Sequence, residues 1–351
     1  MKVLSLFDGM SCGRIALDQL NIPVEKYYAS EIDKYAMQVS QANYPEIIQV
    51  GDICNLDAKD YQDVDLMLAG SPCQGFSMAG KQLAFDDPRS ALFFEFIRLL
   101  KEIKPKYFLL ENVRMKKEYL QVISEQVSAC YPEIPFGIEP IFINSSLVSA
   151  QSRPRYYWTN IPGVKQPKQR GIVLRDILET RQIEGLTDKA IAYMNRSSDK
   201  WSGGKTRKDI YIKHESKKSD CLTANMYKGV PYGVIAIDKP IQEPKVLVGA
   251  YRARSIDKDG NRVAWKEAKP QQMLELRKDN KSNSITSVQK DNVLTKDEVY
   301  WRKLTCRECE RLQTVPDDYT NHVSNTQRYK MLGNGWTIAV IKHIFKNMEI
   351  K

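Results

Sequence analysis

Over its first 110 residues this chain alternates short apolar runs with helical patterns, and the runs stop at a glycine or an acid. Residues 3–7 read as a strand, and residues 14–20 begin a helix. Residues 27–30 form a second strand that ends at Glu31-Ile32-Asp33, followed by a helical stretch over 34–43. Residues 47–50, 65–69 and 106–110 read as three further strands, the last ending at Glu111-Asn112. Between the last two, residues 91–103 carry Leu92, Phe93, Phe96, Leu99 and Leu100 on one helical face. Apolar runs alternating with helices require an α/β fold: a mostly parallel, Rossmann-like sheet with right-handed crossovers and helices on both faces. In such sheets ligands bind beyond the carboxyl ends of the strands. The residues just after each run are therefore the candidates for chemistry.

Phe7-Asp8-Gly9 closes the first run, and Gly13 follows at the start of a helix. Glu31 lies 22 residues after Gly9, the distance at which an acid binds the two hydroxyls of a ribose. Asp52, after the third run, can accept a hydrogen bond from an adenine amino group. Each acid alone reads equally well as a helix cap, but the ordered set describes a nucleoside pocket. Met10-Ser11-Cys12 stand where glycines would admit a pyrophosphate, so a nucleoside without phosphates is expected, and S-adenosylmethionine fits. The fourth run leads into Gly70-Ser71-Pro72-Cys73-Gln74. Pro72 stiffens the approach, while Gly70 and Gly75 permit a tight turn. A Pro-Cys pair by itself reads as a small packed cysteine. Downstream of a nucleoside pocket and upstream of Glu111 and Arg155, Cys73 becomes the candidate nucleophile.

The net charge of +10 is localised: residues 161–300 hold 28 Lys and Arg against 18 Asp and Glu, and the rest of the chain holds 25 of each. Such a surplus is the footprint of a polyanion-binding region. The same segment breaks the strand–helix alternation and is rich in Lys, Ser, Asn and Gly. It reads as a smaller, mainly irregular or β domain over 161–300, inserted into a larger one over 1–160 and 301–351. Asp259-Gly260 signals a hairpin between 246–253 and 262–265. Residues 218–224 and 281–287 are similar and read as two turn-into-strand elements. Regular patterning resumes with helices over 305–313 and 337–346, the second preceded by Gly333-Asn334-Gly335-Trp336. Seven cysteines at irregular spacing suggest no disulfide framework. Cys306 and Cys309 form the only CxxC, with three histidines in the whole chain, so no metal is expected. No apolar run is long enough for a membrane span or a signal peptide, so a cytoplasmic protein without a membrane partner is expected.

In this order the motifs resemble the DNA cytosine-5 methyltransferase family. They are Phe7-Asp8-Gly9, Glu31-Ile32-Asp33, Gly51-Asp52-Ile53, Gly70-Ser71-Pro72-Cys73-Gln74, Asp87-Pro88-Arg89-Ser90 before Leu92-Phe93-Phe94, Glu111-Asn112-Val113, Gln151-Ser152-Arg153-Pro154-Arg155, residues 302–316, and Gly333-Asn334-Gly335. Phe93-Phe94-Glu95-Phe96, Val148-Ser149-Ala150 and Ser282-Asn283-Ser284-Ile285 resemble the animal de novo subgroup in particular. The absence of a preceding regulatory domain suits a bacterial or phage member, such as the methylating half of a restriction–modification system.

The resemblance implies an S-adenosylmethionine-dependent methyltransferase with an inserted target-recognition domain, acting on double-stranded DNA as a monomer, with a homodimer as the alternative. It implies that Cys73 adds to cytosine carbon 6, that Glu111 bonds the ring at N3 and its amine, that Arg155 holds the ring carbonyl, and that Arg153 stands on a phosphate or on the catalytic loop. Phe7, Asp8, Gly9, Glu31, Ile32, Asp52, Ile53, Ser71, Leu92, Asn334 and Gly335 are implied to bind the cofactor. Residues 75–87, with Ser77 and Gln82, resemble a lid over a flipped base. Arg252 and Arg254 are candidates for guanine contacts. Asn283 is a further candidate DNA contact, and Lys205, Arg207, Lys208, Lys217 and Lys218 are candidates for phosphates. Two rival readings remain: a tRNA cytosine methyltransferase, and a non-catalytic nucleic-acid-binding paralogue.

Overall fold

The computed structural model describes residues 1–71, 91–179, 186–196, 205–215, 217–228, 230–237, 247–255, 271–276, 293–295 and 300–349. Cys73, Ser77, Gln82, Asn283 and the whole of 75–87 lie outside the described residues. The contacts divide the chain into two compact units, Met1–Ala236 with Arg302–Lys351, and Ile237–Trp301.

The larger unit is built on a seven-stranded sheet ordered β3-β2-β1-β4-β5-β7-β6. Its strands are β1 (Lys2–Leu6), β2 (Lys26–Ser30), β3 (Ile48–Gln49), β4 (Leu66–Ala69), β5 (Tyr107–Val113), β6 (Ile141–Asn144) and β7 (Pro154–Thr159). The first five pair in parallel, and β7 runs antiparallel to both β5 and β6. Val3, Leu4, Leu6 and all of Leu66, Met67, Leu68 and Ala69 are fully buried, which is why these strands read as unbroken apolar runs. Helices cover both faces. Helix α1 (Cys12–Asp18) crosses so close that a Cβ on Gly13 would stand 2.3 Å from Leu68 Cδ1. On the other face, α3 (Ala91–Ile103) and α4 (Lys117–Cys130) pack on Met67, Ala69, Phe108 and Trp158. In α3 the periodic set Phe93, Phe96, Leu99, Leu100 and Ile103 is buried, each contributing roughly 1.5–3 kcal/mol.

Between α1 and α3 lies α2 (Lys34–Asn43), which starts where the Asp33 side chain accepts the Tyr35 N–H. The C-terminal segment adds α7 (Cys306–Leu312), α8 (Asn325–Asn334) and α9 (Ile338–Phe345), after two short helices, α5 (Asp188–Met194) and α6 (Arg207–Tyr211). Helix α7 opens on a capping box: Thr305 accepts the Glu308 N–H and Glu308 accepts the Thr305 N–H. Cys306 and Cys309 are buried in α7, and burial pushes both thiols up.

Two sequence expectations change. The strand expected over 106–110 extends to Val113, because β7 pairs Glu111 with Tyr157 and Val113 with Arg155; Glu111 therefore stands within a strand rather than after one. Residues 218–224 are not a turn into a strand. Ser219 makes a single β-bridge to Gln151, and Ala224–Lys228 is a short 3-10 helix. The Leu222 N–H is taken by Gln151 Oε1 at 2.8 Å, so no neighbouring strand is recruited. Strand β8 (Lys213–His214) pairs in parallel with β9 (Val234–Ile237), in a sheet completed by β13 (Tyr300–Lys303).

The smaller unit holds β10 (Leu247–Arg254), β11 (Gln271–Leu276) and β12 (Val293–Thr295), antiparallel in the order β11-β10-β12. The next described strand after β10 is 271–276, which pairs with it with Arg254 opposite Gln271; residues 262–265 lie outside the described residues. Of the chain's basic surplus, 15 Lys and Arg against 8 Asp and Glu fall in 161–236, within the larger unit.

Candidate active site

The sheet order turns back at β1, whose two neighbours are β2 and β4, and a crevice opens at the carboxyl ends there. It holds a cavity of about 510 Å³, a volume suited to a nucleoside-sized ligand. Phe7 to Met10, Glu31 to Asp33, Gly51 to Ile53, and Gly70 with Ser71 enter it from four successive strand ends. Glu111 and Val113 of β5, Arg153 and Arg155, Leu92 of α3, and Gln327, Lys330, Met331 and Gly333 to Trp336 of the α8 region join them.

The loop after β1 is tightly coiled. Phe7, Gly9 and Ser11 all take positive φ, at 56°, 61° and 61°, a backbone that costs little only at glycine. Asp8 holds this coil together: it is buried, accepts the Tyr27 hydroxyl at 2.8 Å, and bonds the Ser11 hydroxyl through its other oxygen. Burial raises its pKa to about 6, against the lowering effect of those hydroxyls. Both oxygens of Asp8 are thus engaged within the protein.

Among the described residues, Glu31 is anchored by backbone N–H groups. Its Oε1 accepts the N–H groups of Ile32 and Asp33 at 2.7 and 2.8 Å, and its Oε2 accepts the Gly9 N–H at 2.8 Å. Oε2 retains acceptor capacity for a ligand hydroxyl. Beside it Ile32 is an apolar side chain left 76% exposed. Asp52 caps the 3-10 turn Ile53–Asn55 through the Cys54 N–H at 3.0 Å, and Ile53 is buried behind it. At the rim Lys330 of α8 pairs with Asp33 at 2.8 Å, which lowers the Asp33 pKa against burial and raises that of Lys330.

The opposite wall is made by β5 and β7. Glu111 and Arg155 are diagonal neighbours on one face of the antiparallel pair. Arg155 Nε stands 2.8 Å from Glu111 Oε1, both side chains nearly buried, although the N–H does not point along that contact. Burial opposes the Arg155 charge, but the Glu111 carboxylate holds its pKa above the ordinary value. Ser71, at the end of β4, is buried and accepts from Asn112 Nδ2 at 3.4 Å.

Arg153 does not reach outward to a phosphate. It is 2% exposed, and its terminal nitrogens donate to the carbonyls of Leu222, Gly333 and Gly335 at 2.9, 3.1 and 2.9 Å. Lys218 does not stand free for a phosphate either; its ammonium donates to the carbonyls of Ser149 and Ile172, and burial lowers its pKa. Lys208 is half-buried on α6, and Arg252 and Arg254 belong to β10.

Sequence reasoning missed Gln327, Lys330 and Met331. Their spacing with Asn334 places all four on one face of α8, a signal hidden by the mostly polar composition of that helix. Among the described residues no group of His, Cys, Asp and Glu could hold a metal, and no helix is long and apolar enough to cross a membrane.

The profile of the family described as "C-5 cytosine-specific DNA methylase" matches residues 1–350. Among curated proteins the chain is similar to the Type II methyltransferase M.NlaX of Neisseria lactamica, 30% identical over 99% of this chain and 96% of that protein. It is also similar to the Type II methyltransferase M1.ScrFI of Lactococcus lactis subsp. cremoris, 29% identical over 99% of this chain and 77% of that protein. Among solved structures it resembles the S. pombe Dnmt2 methyltransferase, with TM-score 0.61 at 19% identity over 99% of this chain and 98% of that one. The Entamoeba histolytica methyltransferase EhMeth superposes with TM-score 0.65 at 16% identity, covering 100% and 99%.

Proposed function

The chain belongs to the C-5 cytosine-specific DNA methylase family, and from that premise we propose that it moves a methyl group from S-adenosylmethionine to carbon 5 of a cytosine turned out of duplex DNA, through a covalent bond to Cys73. The enzyme is a DNA cytosine methyltransferase with Type II relatives. The observation that carries the finer reading is the pairing of Glu111 with Arg155 at 2.8 Å on the wall of the cavity that Glu31 and Asp52 also enter.

Cavity size, the partly free Glu31 carboxylate and the uncovered Ile32 suit an adenosine-bearing ligand. When bound, that cofactor supplies an electrophilic methyl group on sulfur. Glu31 would hold its ribose, Asp52 its adenine amine, and Ile32 one face of the ring. Phe7, Gly9, Ser71, Leu92, Asn334 and Gly335 would line the remainder, with Asp8 fixing the coil from behind.

Carbon 5 of cytosine is a weak nucleophile. The Cys73 thiolate would add to carbon 6, the ring's electron pair shifting toward carbon 5 and N3. Glu111 would meet N3 and the amine, and Arg155 the ring carbonyl, where negative charge gathers. Their mutual contact fixes both side chains before the base arrives. After transfer, loss of the carbon 5 proton to a base, with water as a suitable acceptor, would return the electron pair and expel Cys73. The target atom is hidden in a stacked duplex, so the base must be turned out, at a cost of a few kcal/mol. The basic surplus of 161–300 would hold the phosphates, and Arg252, Arg254 and Asn283 are proposed to face bases. Residues 75–87, with Ser77 and Gln82, would close over the flipped base.

The test is adduct formation. Duplex DNA carrying 5-fluorocytosine should trap the wild-type protein as a denaturation-resistant complex when S-adenosylmethionine is present, and Cys73→Ser should give none while still binding both ligands. An adduct on tRNA but on no duplex would sink the DNA reading; no adduct on either would favour a binding paralogue.

A further inference from the structure

Arg153 lies two residues before Arg155 and lines the same cavity, yet it is buried. Its guanidinium is a buried fork between two chain segments. One terminal nitrogen donates to Leu222 O at 2.9 Å and lies 3.2 Å from Cys221 Sγ; the other donates to Gly333 O and Gly335 O. Gly333 and Gly335 flank Asn334 at the carboxyl end of α8, where this segment lines the cavity. The two segments themselves are in close apposition: a Cβ on Gly333 would lie 2.1 Å from the Thr223 carbonyl carbon and 2.4 Å from the Ala224 nitrogen.

A second set of bonds braces the same junction. Gln151 accepts the Leu222 N–H and donates to Leu312 O and Gln313 Oε1. Gln313 donates in turn to Leu332 O and Gly335 O at 2.7 and 3.1 Å. All of these side chains are buried, where each unmade bond would cost more than its net gain. Cys221 and Leu222 do not line the cavity that Asn334 and Gly335 line.

We propose that Arg153 is a positioning residue that ties the Gly333–Gly335 turn of the cofactor cavity to the Cys221–Leu222 segment and to the strand carrying Arg155, so that cofactor binding and the base-facing wall are ordered together. This rests on the function proposed above. It separates Arg153 from a phosphate contact, because its terminal N–H groups are taken by three carbonyls and the Cys221 sulfur and its remaining Nε–H is buried inside the protein.

Two measurements decide it. In wild-type protein, S-adenosylmethionine should slow amide hydrogen exchange not only at 333–336 but also at 221–222; protection confined to the cavity-lining loops would overturn the proposal. Arg153→Lys keeps the charge and loses the fork. It should weaken S-adenosylmethionine binding by calorimetry about tenfold and lower kcat by about 10²-fold. The slope of log K for DNA against log salt should stay that of wild type. A slope shallower by about one unit with unaltered cofactor affinity would make Arg153 a phosphate contact instead. Loss of cofactor binding by the wild-type protein would sink the proposed function rather than this coupling.

Discussion

The two walls of the cavity are built in opposite ways. On the wall proposed for the cofactor Glu31 is held by the N–H groups of Gly9, Ile32 and Asp33, and Asp52 by that of Cys54. All of those bonds are made to the backbone, and three of the four span one or two residues, the bond from Gly9 to Glu31 spanning 22. On the wall proposed to face the base Glu111 meets Arg155 across two strands, and Arg153 reaches Gly333 and Gly335, 180 and 182 residues away. The first set of bonds is mostly local chain chemistry. The second exists only when distant segments have closed on one another, and there a single lost partner leaves a buried charge behind.

That contrast can be broken most directly at Glu111. Glu111→Gln keeps size but removes the charge facing Arg155, and kcat should fall by about 10²- to 10⁴-fold with cofactor affinity unchanged. A cofactor Kd that moves as much as kcat would mean that the two walls are not separable.

Asp8 comes next, because it supports the cofactor wall from a buried position. Its pKa of about 6 lies above the ordinary 3.8. A carboxyl raised in the folded state binds its proton more tightly there than in the unfolded chain. The stability it contributes is therefore full below about pH 4 and is lost as pH rises through about 6, to the extent of roughly 3 kcal/mol. Asp8→Asn should flatten that part of the stability-versus-pH curve in urea titrations. An unchanged curve would show that the carboxyl is not the titrating group.

The smallest effect is expected at the rim. Lys330 and Asp33 are 44% and 31% exposed, and such pairs are worth about 0–1 kcal/mol. Lys330→Ala should shift cofactor affinity less than fivefold, and less still in high salt. A larger, salt-independent loss would make Lys330 a ligand contact and extend the proposed cofactor wall further along α8.

Legibility in the sequence follows the same division. The ranges 34–43 and 91–103 coincide with α2 and α3, since helical periodicity is a local property. Glu31 and Asp52 could be singled out because they sit one and two residues past an apolar run. Strands β6 and β7 were not legible: β7 opens on Pro154 and carries Arg155 and two tyrosines, so its pattern does not read as a buried strand. Helix α8 was missed for its polarity. Arg153 and Lys218 look in sequence like cations for a polyanion, and only the fold spends them on carbonyls.

The basic surplus makes the point in another form. Its position along the chain is plain from composition, yet 161–236 belongs to the larger compact unit and Ile237–Trp301 forms the smaller one. Composition reports charge per residue, whereas unit boundaries depend on which segments exchange contacts.

By itself, then, the sequence determined the parallel α/β sheet, the strand ends that carry the acids, and the motif order that marks the family, because apolar periodicity and turn chemistry act over a few residues. The tertiary structure decided that Glu111 lies within a strand opposite Arg155, that Arg153 is a buried clasp, and that α8 closes the cavity. Those outcomes depend on pairings between segments far apart in the chain, whose register no local pattern encodes.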